Sequence, residues 1–215
     1  MHLRRQPWMR EELEGSPLFI QDPVVHRGDW RTLYPEPEAP LYLELGCGKG
    51  SFISELGKQN PAVNILGIDM TDVVLCHARR KIAEAALENV RITAWDIERI
   101  RDILSEEDRI GRIYINFCNP WPRRRQHKKR LVHTRRLEDY RNFLVPGAEI
   151  RFKTDDTELY RAALDYFTEA DFEIIRSGDN LYQKLPLDNI CTEHEQMYLE
   201  AGETIKYIDA TLKER

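Results

Sequence analysis

The sequence predicts an α/β fold: a mostly parallel central sheet of about seven strands, with helices on both faces. Three observations predict it. Apolar runs of strand length recur ahead of segments with helical spacing, a glycine-rich turn follows the first strong strand, and three successive strands end beside an acid. In such sheets ligands sit outside the carboxyl ends of the strands, so those ends are where candidate functional residues are sought.

The first strand is Leu41-Tyr-Leu-Glu-Leu45, after Pro40; it runs into Gly46-Cys-Gly-Lys-Gly50 and then a helix over about Ser51 to Lys58. Gly46, Gly48 and Gly50 permit positive φ and let a ligand approach the backbone, which side chains there would block. The second strand, Val63 to Asp69, ends in an acid placed to hold a ribose diol. A helix follows, with Val74, Ala78, Ile82 and Ala85 on one apolar stripe and Arg79, Arg80 and Lys81 expected to face water. The third strand, Val90 to Ala94, is followed by Asp96. Glu44, Asp69 and Asp96 each read alone as a turn or helix cap, but repeated along one sheet edge they define a cleft.

The fourth strand, Ile113 to Phe117, stops at Asn119-Pro-Trp-Pro122, where the prolines fix φ and remove two donors. Between Arg123 and Arg136 lie eight Lys or Arg, two His and no acid; with those eight set aside from a net charge of −5, the rest of the chain sums to −13. A basic face on an acidic protein suits a polyanion, by neutralising phosphates and releasing counterions; the alternative is a solvated helix face. A helix is expected over Arg135 to Leu144, and a strand over Ala148 to Lys153. Next comes a helix with Tyr160, Ala163, Leu164 and Phe167 on one face, capped by Asp155 or Asp156. A strand over Phe172 to Ser177, a loop from Gly178 to Ile190 and a last strand over Thr204 to Thr211 complete the sheet.

Residues 1–40 mix Arg4, Arg5, Arg10 and Arg31 with Trp8, Trp30, Tyr34 and several prolines, and keep no sustained period. They are expected to form an arm packed on a domain of residues 41–215; the arm suits packing and RNA contact equally. At 215 residues, 41% apolar and 32% charged, the chain has the composition of one soluble domain, and no window approaches the ~18 uninterrupted apolar residues of a membrane span. The start lacks the apolar core of a secretion signal, which makes the cytoplasm the expected location. Cys47, Cys76, Cys118 and Cys191 form no C-x-x-C pair, so they read as reduced thiols with neither a disulfide framework nor a zinc site; no metal is expected.

Taken together, L-E-L-G-C-G-K-G, N-P-W-P with its basic run, K-T-D and T-E-H-E resemble the bacterial tRNA (guanine-N7-)-methyltransferase family, from Leu3 to about Tyr207. The glycine motif is shared with many S-adenosylmethionine-dependent methyltransferases; the combination is far more selective. The resemblance implies a Rossmann-like methyltransferase fold and methyl transfer from S-adenosyl-L-methionine to N7 of guanosine 46 in the tRNA variable loop. It implies cofactor contacts from Glu44, Gly46, Gly48, Gly50, Asp69 and Asp96, with Asn119 beside cofactor and guanine as the catalytic position. Substrate contacts would come from Arg123, Asp155, Thr192, Glu193, His194 and Glu195, and RNA contacts from Arg124, Arg125, His127, Lys128, Lys129 and Arg130. Asn119 stands where the family usually has Asp, Arg123 for Lys, Asp69 for Glu and His194 for Tyr. Asn119 keeps an acceptor but cannot ionise. Three readings stay open: this enzyme, a methyltransferase with another substrate, and a tRNA-binding relative that has lost catalysis. The sequence leaves a homo-oligomer open.

Overall fold

The computed structural model describes residues 7–183 and 188–213. Arg4 and Arg5 of the arm, and the middle of the Gly178–Ile190 loop, lie outside them. The chain divides into two compact units, the first ending at Asp108 and the second starting at Arg109. Eight strands are described, four in each unit, one more than expected.

In the first unit, α1 (Pro7–Glu14) and the short strand β1 (Phe19–Ile20) precede β2 (Leu41–Leu45), α2 (Ser51–Gln59), β3 (Asn64–Asp69), α3 (Asp72–Glu84) and β4 (Val90–Ala94). The strand order is β1-β4-β3-β2, and every pair is parallel. Leu41, Leu43, Leu45, Ile65, Leu66, Ile68, Val90 and Ile92 are buried. These near-continuous apolar runs are what a strand covered on both faces requires.

The arm is built into this unit. Trp30 is fully buried, with Nε1 donating to Ile103 O at 2.7 Å, and the Tyr34 hydroxyl donates to Ile65 O at 2.9 Å. Asp108 is the buried acceptor that fixes the arm's bend, taking Gly28 N at 3.0 Å, Trp30 N at 3.3 Å and Ser105 N at 2.8 Å. Two features of this unit differ from expectation. The arm contributes β1, paired to β4 through Phe19 and Ile92, a strand too short for any periodicity to show. Arg79 and Arg80 do not simply face water: both grip Glu12 of α1, at 2.5 and 2.6 Å. A helical stripe tells which side is apolar and says nothing of a second helix lying across the polar side.

The second unit holds β5 (Ile110–Asn116), α4 (Thr134–Arg141), β6 (Leu144–Thr154), α5 (Thr157–Glu169), β7 (Phe172–Gly178), α6 (Glu193–Glu200) and β8 (Lys206–Leu212). Their order is β5-β6-β8-β7; β5 and β6 are parallel, while β8 is antiparallel to both neighbours. The helix expected to reach Leu144 stops at Arg141, and β6 begins four residues before Ala148. The early part of β6 escaped the alternation because Gly147, at φ +74°, follows Pro146 and the register to β5 shifts between Ile110 and Arg112. Asp156, not Asp155, caps α5, accepting Leu159 N at 2.6 Å.

Candidate active site

In the first unit the glycine turn is built against β3. Gly46 N and Cys47 N both donate to Ile68 O, at 2.8 and 3.2 Å, and Gly50 N closes the turn on Cys47 O at 3.0 Å. All three glycines have positive φ, at 78°, 52° and 78°. Their constraints differ. A Cβ on Gly50 would lie 2.6 Å from Ala78 Cα and Cβ in α3, so this glycine lets two helices touch. A Cβ on Gly48 would meet nothing nearer than Gly46 O at 4.0 Å, so the protein leaves the space before Gly48 open.

Asp69, at the end of β3, turns toward that space. Oδ2 accepts Gly48 N and Oδ1 accepts Thr71 N, each at 3.0 Å. Burial pushes its carboxyl above the ordinary range, and the N–H groups of Gly48, Thr71 and Met70 with the Thr71 hydroxyl hold it back. Glu44 is buried at the end of β2. Asp96 accepts Glu98 N at 2.9 Å and caps the 3₁₀ turn Ile97–Asp102. Burial, with Asp69 and Glu44 close by, raises the Cys47 thiol well above its usual value, so it is an inert neighbour of the turn.

In the second unit, β5 leads into a strained corner. Phe117 and Trp121 both take positive φ, 51° and 44°, which bulky side chains rarely adopt. Asn119 is exposed between them and its Oδ1 accepts Trp121 N at 3.1 Å, so the side chain shapes the turn that carries it. Arg130 requires a correction: it is 2% exposed, with Nε donating to Pro120 O at 2.7 Å and Nη1 to the Tyr166 hydroxyl at 3.3 Å. It braces the Asn-Pro-Trp-Pro corner from inside and cannot present itself to a nucleic-acid backbone. Arg123, Arg124, Arg125, Lys128 and Lys129 are exposed on or beside the 3₁₀ segment Arg124–Lys129, with Lys129 Nζ 5.1 Å from the Trp121 ring centre. His127 is half-buried and lies 3.4 Å from Pro122 O.

Thr192 and Glu195 form a capping box at the start of α6. Glu195 is fully buried and its acceptors are filled. Oε1 takes the Tyr182 hydroxyl at 2.5 Å and Asn189 Nδ2 at 3.0 Å; Oε2 takes Lys153 Nζ at 2.8 Å and Thr192 N at 3.4 Å. Lys153 is equally committed, also donating to Asn189 Oδ1 at 2.5 Å and Ile190 O at 3.0 Å. The network ties the end of β6 to the loop before α6. It went unpredicted because nothing in K-T-D says what Lys153 pairs with, and Tyr182 and Asn189 belong to no spacing pattern. Glu193 and His194 are exposed, and the His194 ring stacks on Phe117 with centres 5.9 Å apart. Tyr198 also stacks on Phe117, with ring centres 5.7 Å apart; burial and the charge of the half-buried Asp155 carboxylate raise its phenol. Among the described residues no group of three His, Cys, Asp or Glu could hold a metal, and no helix is long and apolar enough to cross a membrane.

Solved structures share this architecture. The 16S rRNA methyltransferase KamB superposes with a TM-score of 0.62 at 14% identity, over 86% of this chain and 91% of that one. A geranyl diphosphate C-methyltransferase of Streptomyces coelicolor, solved with S-adenosyl-L-homocysteine, gives 0.56 at 12% identity, over 80% and 73%. Residues 38–208 match a family model described as "Putative methyltransferase". The fold is thus the Rossmann-like fold of the S-adenosylmethionine-dependent methyltransferases.

Full-length relatives narrow the class. The tRNA (guanine-N(7)-)-methyltransferase of Clostridium perfringens (strain 13 / Type A) is 46% identical over 98% of this chain and 99% of its own, and that of Acetivibrio thermocellus 42% identical over 99% and 100%. The chain belongs to the tRNA (guanine-N(7)-)-methyltransferase family.

Proposed function

We propose that this protein transfers a methyl group from S-adenosyl-L-methionine to N7 of a guanosine in tRNA, at position 46 of the variable loop. The 46% identity over nearly the whole of both chains carries the reading. The cofactor half supports it, since the open approach at Gly48, with the Asp69 carboxylate bonded to Gly48 N beside it, suits a nucleoside with a ribose diol. Residues 1–40 are read as an arm on a methyltransferase domain of residues 41–215, acting in the cytoplasm.

The cofactor supplies an electrophilic methyl on a positive sulfur. Guanine N7 carries a lone pair and no proton, so it can attack that carbon in line while the carbon–sulfur pair leaves with sulfur. No general base is needed, and the burden falls on positioning, worth up to ~7–11 kcal/mol in well-oriented reactions. This removes the objection to Asn119: a residue that orders the turn by accepting Trp121 N need not ionise. Glu44, Gly46, Gly48, Gly50, Asp69 and Asp96 are assigned to the cofactor. Asn119, Arg123, Asp155, Thr192, Glu193 and His194 are assigned to the target nucleotide. Glu195, its acceptors filled, organises α6 beside them. Arg124, Arg125, His127, Lys128 and Lys129 are assigned to the RNA backbone.

The test is transfer of radiolabelled methyl to an unmodified tRNA transcript, followed by identification and mapping of the modified nucleoside. Labelled 7-methylguanosine at position 46 is expected, and a transcript with adenosine at that position should take up no label. Tight tRNA binding without any transfer would favour the lapsed relative, and transfer to another acceptor a different substrate.

A further inference from the structure

Lys206, the first residue of β8, is 6% exposed, yet no carboxylate among the described residues pairs with it. Its Nζ donates to two backbone carbonyls, Asp155 O at 2.8 Å and Thr204 O at 3.0 Å. Carbonyls satisfy two of its three protons and leave the charge unneutralised. A buried ammonium without a counter-ion is costly, and such a cation ordinarily has an anion to meet.

Lys206 lines a pocket of about 260 Å³ together with Thr157, Asp179, Asn180, Gln183 and Thr204. Thr157 is the first residue of α5, a helix of thirteen residues whose N-cap, Asp156, occupies Leu159 N. The Thr157 and Glu158 N–H groups stand outside the helical ladder at its positive end. Asn180 uses Oδ1 on Tyr182 N at 3.0 Å, which leaves its amide donors to the pocket. The lining is therefore donor-rich around one fixed cation. Asp179 is its only acid, exposed and able to swing out, whereas Lys206 is anchored at both carbonyls.

We propose that the pocket formed by Lys206, Thr157, Asn180, Gln183 and Thr204 holds one phosphodiester of the RNA backbone. It rests on the tRNA reading above and adds an anchor separate from the basic run, beside the backbone of Asp155.

The experiment measures binding of unmodified tRNA to the full chain across a salt series. Lys206→Met should weaken binding and lower the slope of log affinity against log salt by about 0.7–0.9, the loss of one phosphate contact. Inorganic phosphate at constant ionic strength should compete with tRNA on the parent and less on Lys206→Met. Asp179→Asn, an exposed change, decides the chemistry by sign. With a phosphate in the pocket, removing the nearby carboxylate tightens binding; with a ribose hydroxyl there, its loss weakens binding and overturns the proposal. An unchanged salt slope in a folded Lys206→Met protein also overturns it, and if that variant fails to fold, Asp179→Asn alone decides. Loss of tRNA binding by the parent would count against the proposed function rather than the pocket.

Discussion

Asp69 and Glu195 are carboxylates at element ends in the two units, and they are employed in opposite ways. Asp69 takes two backbone N–H groups, Gly48 and Thr71, one per oxygen, and forms no ion pair among the described residues. Glu195 takes four donors from Lys153, Tyr182, Asn189 and Thr192. The first lies against the open space before Gly48, where we assign the cofactor; the second is tied to a buried ammonium of the protein itself. An acid in a motif is therefore no guide to its role until its acceptors have been counted.

The largest expected effect sharpens this contrast. Glu195→Ala would leave the Lys153 ammonium buried without its counter-charge, a loss of about 3–5 kcal/mol of stability, since breaking one side of a buried pair strands the other. Asp69→Asn keeps one of the turn's two side-chain acceptors and should cost far less stability than Glu195→Ala. It should weaken cofactor binding by about 10–100-fold, the equivalent of ~1.5–3 kcal/mol for hydrogen bonds to a charged acceptor. Thermal melts and cofactor titrations on both variants test the division of labour; a stable Glu195→Ala protein that had lost only tRNA would mean that the carboxylate serves substrate after all.

The same contrast runs through the basic segment and gives the next effect. Replacing Arg124, Arg125 and Lys128 by Gln should leave the melting temperature unchanged and reduce the salt slope of tRNA binding by about 0.7–0.9 per lost phosphate contact. Arg130→Gln should do the reverse, destabilising the corner at Pro120 while the salt slope holds. If both variants behave alike, the buried and exposed cations are not distinct in function.

These cases mark how far sequence reasoning reached. The places of Gly48 and Asp69 were legible because an open backbone approach and a strand-end acid each demand a residue type at a fixed position, and β3 supplies that position. Arg130 was not, because a run of like charges shows how much charge is present and not which member turns inward. The Lys153–Glu195 network was not read from the sequence: T-x-x-E carries the signature of a capping box, but its partners come from 42 and 13 residues away, beyond any local pattern. The link from Glu12 to Arg79 and Arg80 spans more than 60 residues and was invisible for the same reason.

That link supports the smallest of the predicted effects. Glu12 is held by hydrogen bonds and charge from Arg80 and Arg79, which bring its carboxyl from 4.5 down to about 2. The sign follows from linkage: a depressed folded-state value means that the unfolded or undocked chain binds the proton first. The contribution is thus complete above about pH 4.5 and is lost as pH falls toward about 2. Partial exposure of all three side chains keeps it modest, because water and salt screen the pair. The loss should be local, since Glu12 ties α1 to α3 while Trp30 and Tyr34 anchor the rest of the arm in the core. Hydrogen exchange should therefore show α1 amides losing protection on acidification before those of β2 and β3. Glu12→Gln should reproduce that loss at neutral pH and abolish its pH dependence; unaltered α1 protection in Glu12→Gln would show that the helix is held by its apolar face alone.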